Sequence, residues 1–384
     1  MRRALDGVIA ALARFPGDRV DLLVGEPCFD SPLAIRERFE RMAGDPTKGY
    51  GPPGGLSEFR EVLARRLEPD RADPLRVMVT HGAKGGLLAL LASLVETGDE
   101  VIHPLPCYPA YPAMVRRFGG VPMGVAEGGD GFADFSERVL AIAGPRTRAV
   151  VLSSPSNPSG TTMTAGSLAK LADGCGDRGI RLILDEAYST FCFGADVADP
   201  AAVDAASILV RVGSASKSLA LPGWRIGWIV ADGQLVSRVS SVPAALLNPP
   251  ATPPQRAMLA LREVPERYFE ANRRVVFERL EAMVEAVQRA GFDAAMPAGG
   301  FYLWVDIRDR LDARKPDSAS WCERLAEVHG VGLWPGEDYG TPGFVRLALP
   351  QGDTWRDSVA ELEVRLNEWK LKPRRRKGRQ ASQG

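Results

Sequence analysis

Short apolar runs alternate with longer helical patterns through the first two thirds of the chain. Each run ends in small or polar residues: RVMVT at 76–80 leads into HGAKGG, and RAVVL at 148–152 leads into SSPSNPSG. Comparable runs lie at 100–102, 180–184, 207–212 and 225–230. Continuous apolar strands separated by helices are typical of a largely parallel sheet with helices on both faces. The pattern predicts an α/β fold that binds ligands beyond the carboxyl ends of its strands.

The pattern changes near residue 250. The Pro-rich stretch NPPATPPQ precedes a helical pattern at about 255–290, and shorter apolar segments such as GGFYLWVDI and GFVRLAL follow it. This layout predicts a smaller α+β domain, which the first 40 or so residues join. We therefore expect an N-terminal arm with part of the small domain at 1–40, a large domain at 41–250, the rest of the small domain at 251–370 and a basic, disordered tail at 371–384.

Composition excludes several classes of function. The 384 residues carry a formal net charge of zero, which gives no reason to expect nucleic acid as a partner. The five cysteines form no CxxC pair and the three histidines lie far apart, so neither a disulfide framework nor a metal site is expected. No apolar run approaches about 20 residues, and the N-terminal segment does not read as a signal peptide. We expect a cytoplasmic protein that does not interact with a membrane.

One lysine follows a predicted strand within the segment SASKSLALPGWRIGW at 214–228. A lysine that is partly desolvated at the mouth of a sheet can act as a nucleophile, although a lysine such as Lys217, taken alone, is a surface residue most of the time. Ser214 and the nearby glycines suit the close approach of an anion, and Arg225 can bind phosphate as a planar fork. The S-x-x-K pattern of penicillin-recognising enzymes also fits, but the K-T-G and S-D-N or Y-x-N motifs that it requires do not occur.

Other strand ends carry polar residues that have two readings each. Asp185 either caps a helix or accepts a hydrogen bond from a protonated ring nitrogen, with Tyr188 close by to donate to a ring substituent. Asn157 either builds a turn or donates to a phenolate oxygen. Ala83 and Lys84 open a helix, where free N–H groups favour an anion, but a glycine-containing turn explains the motif equally well.

Three further residues complete the set of candidates. Tyr108 either packs in the core or stacks on a planar ring, and Tyr111 is interpreted as a core residue. Arg346 lies inside an apolar strand and needs a partner, which is either an internal salt bridge or a bound carboxylate. One assembly uses the lysine, the aspartate, the ring-oxygen donors, the stacking aromatic, the phosphate cup and the carboxylate clamp together. That assembly holds pyridoxal 5'-phosphate, with Lys217 as the Schiff-base lysine.

In this order the residues resemble the fold type I pyridoxal-phosphate enzymes, the class I/II aminotransferases of the aspartate aminotransferase superfamily. The resemblance extends from VGEP at 24–27 to Arg346. It implies a large domain with a mostly parallel, seven-stranded sheet covered by helices, and a smaller α+β domain. The implied cofactor-binding residues are Ala83, Lys84, Ser214 and Arg225 for the phosphate, Tyr108 for stacking, Asn157 and Tyr188 for the ring oxygen, and Asp185 for the ring nitrogen.

The same resemblance implies the reaction and the assembly. An amino group would move between an α-amino acid and a 2-oxo acid, with Lys217, Asp185 and Tyr188 as catalytic residues. Arg346 would bind the substrate α-carboxylate, and the backbone of Gly25 would face it. Tyr50 would reach the cofactor phosphate of a neighbouring subunit, which implies a homodimer with shared active sites.

Two readings from other classes stay open at this point. The same framework serves lyases, decarboxylases, oxidases and cyclases of specialised biosynthesis. A pyridoxal-binding regulator of the same superfamily carries an N-terminal DNA-binding domain, whereas this sequence begins almost at the fold. No second arginine for a dicarboxylate side chain is identifiable. Leu221-Pro222 departs from the Met followed by Thr or Ser that is more usual there, and the sequence offers no reason for it.

Overall fold

The structure is a computed structural model that describes residues 4–42, 49–128, 132–194, 196–203, 207–246, 248–312 and 317–371. Seven strands form its large sheet: β2 Val77–Thr80, β3 Glu100–Leu105, β4 Val121–Ala126, β5 Thr147–Ser153, β6 Arg181–Asp185, β7 Leu209–Ser214 and β8 Gly227–Val230. Their order across the sheet is β2-β8-β7-β6-β5-β3-β4. All neighbours pair in parallel except β8, which is antiparallel to both β2 and β7. The predicted fold class, with its mostly parallel seven-stranded sheet, is confirmed.

Helices cover both faces of this sheet because successive apolar residues of each strand point to opposite sides. In β5, Val151 packs in one apolar cluster with Leu87 of helix α4, while Val150 packs in another with Leu168 of helix α7. The helices before residue 260 are α1 Ala4–Arg14, α2 Leu33–Arg41, α3 Ser57–Leu67, α4 Gly82–Leu94, α5 Ala110–Arg117, α6 Phe135–Ile142, α7 Ala165–Gly176, α8 Ala215–Ser218, α9 Gly233–Leu246 and α10 Thr252–Ala257.

A second, smaller unit contains a three-stranded antiparallel sheet. Its strand order is β11-β12-β9, with β9 at Tyr302–Asp306, β11 at Trp334–Pro335 and β12 at Phe344–Ala348. Strand β1 Val20–Asp21 pairs in parallel with β10 Val331–Gly332. Helices α11 Glu266–Arg289, α12 Ser318–His329 and α13 Trp355–Leu371 belong to the same unit. One apolar cluster joins residues of α1, such as Leu5, to Leu362 of α13.

The helical pattern at about 255–290 is not one helix, and this corrects the sequence interpretation. Helix α10 is followed by a 3-10 helix at Met258–Glu263, and α11 starts only after Pro265. A proline disfavours helical geometry in the residue before it, here Val264, so the chain restarts at this point. The predicted domain boundaries at 40, 250 and 370 stay a prediction. The tail predicted at 371–384 lies outside the described residues except for Leu371, which ends α13.

The carboxyl ends of β5, β6 and β7 lie side by side and position the candidate residues. Ser153 at the end of β5 is opposite Asp185 at the end of β6, and β7 ends at Ser214. Strand β12 of the smaller sheet contributes Arg346. None of the described helices is both long enough and apolar enough to cross a membrane.

Candidate active site

A cavity of about 340 Å³ lies at these strand ends and is bordered by both sheets. It brings together nearly all of the predicted site residues: Gly25, Ala83, Lys84, Tyr108, Asn157, Asp185, Tyr188, Ser214, Lys217, Arg225 and Arg346. Tyr50 is not part of the lining and is 84% exposed.

Lys217 follows β7 in the short helix α8. Ser214 precedes this helix as its N-cap, and its hydroxyl oxygen accepts a hydrogen bond from the backbone N–H of Ser216 at 3.1 Å. The chain therefore turns directly after the strand and directs Lys217 into the cavity. Its Nζ donates to the backbone carbonyl of Gly25 and lies 6.0 Å from the centroid of the Tyr188 ring. The amine forms no ion pair with any carboxylate in the described part of the chain.

Asp185 is a buried carboxylate at the end of β6. Its Oδ1 accepts from the backbone N–H of Ala187 at 3.1 Å, and its Oδ2 accepts from the hydroxyl of Tyr111 at 3.0 Å. Burial raises the pKa of Asp185 to about 6, while the hydrogen bonds from Ala187 and Tyr111 oppose that rise. Among the described residues, no cation pairs with it. A buried carboxylate of this kind suits a cationic ligand atom, because such an atom would supply the missing countercharge.

Tyr111 is a functional candidate that the sequence analysis placed only in the core. It is 1% exposed, as expected for a core residue, but its hydroxyl also contacts Asp185. Its ring meets that of Tyr108 edge to face, with the centroids 5.6 Å apart. Tyr108 lies just before α5 and Tyr111 lies in the first turn of that helix, so their closeness in the sequence was the available signal.

Asn157 and Tyr188 lie at the next positions along the cavity. The side-chain oxygen of Asn157 accepts from Nη1 of Arg346 at 3.0 Å, which leaves its amide N–H groups to donate elsewhere. The hydroxyl of Tyr188 is 2.5 Å from the hydroxyl of Tyr302, and burial raises the pKa of Tyr188 well above its usual value. Both side chains can therefore donate to a ligand oxygen between them.

The loop that carries Asn157 is held by Glu127, a residue that the sequence analysis did not single out. Its buried carboxylate accepts hydrogen bonds from the hydroxyls of Ser156 at 2.9 Å, Ser159 at 3.2 Å and Thr161 at 3.3 Å. Burial raises the pKa of Glu127 despite these donors. Glu127 lies about thirty residues before Asn157 in the sequence, so no local sequence pattern links Glu127 to this loop.

The end of the cavity near Lys84 and Arg225 forms a cationic cradle. Helix α4 begins here, at Gly82, with its free N–H groups. Gly82 has φ +74°, and a Cβ atom built on it would lie 2.6 Å from Nη2 of Arg225. A Cβ atom on Gly227 would lie 2.5 Å from the carbonyl carbon of Gly82. The backbone is therefore packed closely around a site whose cations lack carboxylate partners among the described residues, which suits a phosphate dianion.

Leu221-Pro222 now has a structural account. Leu221 is buried, in an apolar cluster with Leu219 and Ile226. Pro222 starts a 3-10 helix, and its carbonyl accepts from Nη1 of Arg225 at 2.8 Å. This bond helps to hold Arg225, whose backbone has the left-handed φ of +54°, in the cradle.

Arg346 forms the opposite end of the cavity. It is 2% exposed, and its Nη1 and Nη2 donate to Asn157 and to the backbone carbonyl of Leu23, the latter at 2.5 Å. Its guanidinium carbon lies 4.0 Å from the ring centroid of Tyr302 and 4.5 Å from that of Trp334. Nε has no hydrogen-bond partner in the described part of the chain, and no described carboxylate pairs with the side chain. The internal salt bridge is thus not found, and the geometry favours a carboxylate ligand.

The two ends of the cavity and Lys217 between them together fit pyridoxal phosphate. The cradle at Arg225 and Lys84 suits the phosphate. Asp185 is buried and has no cation partner among the described residues, which suits a protonated ring nitrogen. Lys217 lies in the same cavity, where its amine can reach an aldehyde.

Comparisons with known proteins agree with this fit. Residues 17–357 match the family model for aminotransferase class I and II. The aspartate/prephenate aminotransferase of Thermus thermophilus is 32% identical over 352 residues, which is 90% of each chain. An arginine–pyruvate transaminase of Pseudomonas aeruginosa is 33% identical over 356 residues, covering 89% of this chain and 88% of that protein. A solved structure of a Thermus thermophilus aspartate aminotransferase mutant has a TM-score of 0.88 at 29% identity and covers 96% of this chain and 97% of its own.

Proposed function

The chain belongs to the family of class I and II aminotransferases, and we propose that Lys217 is the residue that binds the cofactor and moves the proton during its reaction. Members of this family use pyridoxal phosphate, and this chain is a transaminase that acts on amino acids and 2-oxo acids. The similarity to named aminotransferases supports transamination over the lyase, decarboxylase, oxidase and cyclase reactions that the sequence left open. When bound, the cofactor supplies a conjugated ring that withdraws electrons from the substrate carbon that loses its proton.

The single observation that carries the proposal is the position of the Lys217 amine. It lies in the cavity between the Gly25 carbonyl and the ring of Tyr188, and no ion pair with a described carboxylate has to break when it changes partner. We assign to Nζ of Lys217 both the attachment of the cofactor and the removal of the substrate α-proton.

The other residues bind and orient. In this proposal the phosphate is held by Arg225, the hydroxyl of Ser214 and the helix start at Ala83 and Lys84. Asp185 accepts a hydrogen bond from the ring nitrogen and keeps it protonated. Tyr108 stacks on the ring, and Asn157 and Tyr188 donate to the ring oxygen. Arg346, together with the backbone of Gly25, fixes the substrate carboxylate.

The assembly is a further part of the proposal. Tyr50 is 84% exposed and lies outside the cavity of its own chain, which supports a role in the site of a second copy. A homodimer with two-fold symmetry would bring each Tyr50 to the partner's cavity. The cytoplasmic location expected from the sequence stays a prediction.

The test is the substitution Lys217→Ala in the purified holoenzyme. We expect the visible absorbance of the lysine-bound cofactor to disappear and turnover to fall by at least ~10³-fold, because one residue provides both the attachment and the base. Lys170→Ala is the matched control, since Lys170 is an exposed lysine that pairs with Glu137 far from the cavity. A Lys217→Ala variant that keeps both the absorbance and the turnover would falsify the assignment.

A further inference from the structure

We propose that Tyr302 is a positioning residue that couples Tyr188, the donor to the cofactor's ring oxygen, to Arg346, the carboxylate clamp. The proposal rests on the function proposed above, because it assumes the roles given there to Tyr188 and Arg346. Tyr302 lies in the segment GGFYLWVDI, whose strand the sequence predicted without giving any of its residues a role.

The hydroxyl of Tyr302 acts on Tyr188. The two hydroxyl oxygens are 2.5 Å apart, and the residues are 3% and 6% exposed. Each hydroxyl has one proton, so when Tyr302 donates to Tyr188, the proton of Tyr188 is available for a third oxygen. A hydrogen bond received by a phenol oxygen also strengthens the bond that the same phenol donates. Tyr302 thus fixes both the direction and the strength of the Tyr188 donor.

The ring of Tyr302 acts on Arg346. Tyr302 in β9 is opposite Ala348 in β12, so Arg346 is its diagonal neighbour, two residues along, on the same face of the sheet. The guanidinium carbon lies 4.0 Å from the ring centroid, the shortest such distance among the three rings around Arg346. The ring therefore attracts the cation electrostatically and keeps its plane in place.

A third contact links Tyr302 to the lysine. A Cβ atom built on Gly25 would lie 2.4 Å from the hydroxyl oxygen of Tyr302, so only a glycine leaves room for this hydroxyl. The carbonyl of the same glycine accepts from Nζ of Lys217. One side chain therefore sets the relative positions of Tyr188, Gly25 and Arg346.

Tyr339 provides a matched control within the same site. Its ring also faces Arg346, at 5.3 Å from the guanidinium carbon, and it is as deeply buried as Tyr302. Its hydroxyl, however, has no hydrogen-bond partner in the described part of the chain. Tyr339→Phe thus removes a buried hydroxyl next to Arg346 without removing a contact to Tyr188.

The experiment is a pH titration of the visible absorbance of the bound cofactor in the holoenzyme. A donor to a phenolate oxygen stabilises the deprotonated form, so loss of the donor raises the midpoint of the titration. We expect Tyr302→Phe to raise the midpoint by roughly 0.5 pH unit, as the loss of one hydrogen bond would do. Its KM for the amino acid should change less than ~3-fold, because the ring over Arg346 is kept. Tyr339→Phe should leave the midpoint unchanged.

Two further variants separate this proposal from the one on which it rests. Tyr188→Phe should raise the midpoint more than Tyr302→Phe, and the double variant should titrate like Tyr188→Phe alone, because Tyr302 acts through Tyr188. Additive shifts in the double variant, or a Tyr302→Phe enzyme that titrates like the wild type while Tyr188→Phe shifts, would overturn the coupling alone. An unchanged midpoint in Tyr188→Phe would overturn the coupling together with the role of Tyr188. Loss of the visible absorbance in Lys217→Ala would still support the cofactor assignment in all of these cases.

Discussion

The large and the small sheet each contribute one deeply buried charge to the cavity, and the protein stabilises these two charges in different ways. Asp185 from the large sheet is 6% exposed, and Arg346 from the small sheet is 2% exposed. Neither has a countercharge among the described residues. Within the described ranges the carboxylate of Asp185 receives two hydrogen bonds, and burial raises its pKa to about 6. Arg346 donates to two neutral oxygens and is enclosed by aromatic rings.

The difference follows from what each charge is proposed to bind. Asp185 would face a ring nitrogen that stays for many turnovers, so the protein need not satisfy the carboxylate by itself. Arg346 would face a carboxylate that leaves in every turnover. It must keep its position without that partner, and the π-faces of Tyr302 and Trp334 stabilise a cation without neutralising it. In this proposal the cofactor completes the hydrogen bonding of Asp185, whereas Arg346 is held by aromatic rings between one substrate and the next.

Replacing the weakly satisfied charge should have the largest effect. Asp185→Asn keeps the shape but cannot hold a proton on the ring nitrogen by charge, so we expect turnover to fall roughly 10²–10³-fold. Steady-state kinetics with saturating cofactor measures this loss. Glu186→Gln is not a usable control, because Glu186 forms a buried pair with Arg211; Asp309→Asn, on the surface, is suitable. Turnover within ~3-fold of the wild type would remove Asp185 from the mechanism.

The same variant should change stability in opposite directions with and without cofactor. The pKa of Asp185 rises from its ordinary value of 3.8 to about 6 in the folded protein. Between these pH values the native state holds a proton that the unfolded chain has released, so the stability of the cofactor-free protein falls as pH rises from about 4 to 6. Cofactor-free Asp185→Asn should therefore have a higher Tm than the wild type at pH 7, because its free energy of unfolding should be larger by an amount on the order of 3 kcal/mol. With cofactor bound, the order of the two Tm values should reverse.

Replacing the well-supported charge should have a smaller and more selective effect. Arg346→Lys keeps the charge but loses the planar fork that reaches Asn157, Leu23 and a carboxylate together. We expect kcat/KM for amino acids to fall about 10²-fold, mostly through KM. Amines without a carboxylate should lose much less, and Arg308→Lys, an exposed arginine outside the cavity, is the control. An equal loss with both kinds of substrate would show that Arg346 does not bind the carboxylate.

The sequence predicted the charged residues of this comparison but not the tyrosines that support them. Asp185 directly follows an apolar run, Lys217 follows another within a few residues, and Arg346 interrupts a third, so each stands out against its neighbours. The Tyr111–Asp185 contact joins residues 74 positions apart, and the Tyr188–Tyr302 contact joins residues 114 apart. Such contacts depend on which strands and loops become neighbours, and hydrophobic periodicity does not encode that.

The fold, too, has features that the sequence predicted and features that it did not. Apolar runs predict six of the seven strands of the large sheet, because burial on both faces requires continuous apolar residues. They miss β4, an edge strand in which only one residue is buried. They do not predict that β8 is antiparallel, since the run RIGWIV has the same composition in either direction. The helix break at Pro265 could have been predicted, because proline restricts the preceding residue wherever it occurs.

The smallest expected effect tests whether Tyr111 tunes the weakly satisfied charge. Tyr111→Phe removes one of the two hydrogen bonds to Asp185, and that bond favours the ionised carboxylate. We expect turnover at neutral pH to fall ~10-fold or less, as the loss of one hydrogen bond to a charged group would do. The acid limb of the pH profile of kcat should move to higher pH, because Asp185 then protonates more readily.

The control for this prediction is Tyr339→Phe, which removes an equally buried hydroxyl that bonds to none of the described residues and should leave the acid limb in place. Arg346→Lys should also leave it in place, since Arg346 makes no contact with Asp185. If the acid limb moves in Tyr111→Phe alone, the pH response comes from Asp185, the charge that would face the cofactor. It does not then come from Arg346, the charge that would face the substrate. An acid limb that moves equally in Arg346→Lys would instead mean that the two buried charges are coupled, and the distinction between a resident and an exchanging partner would not hold.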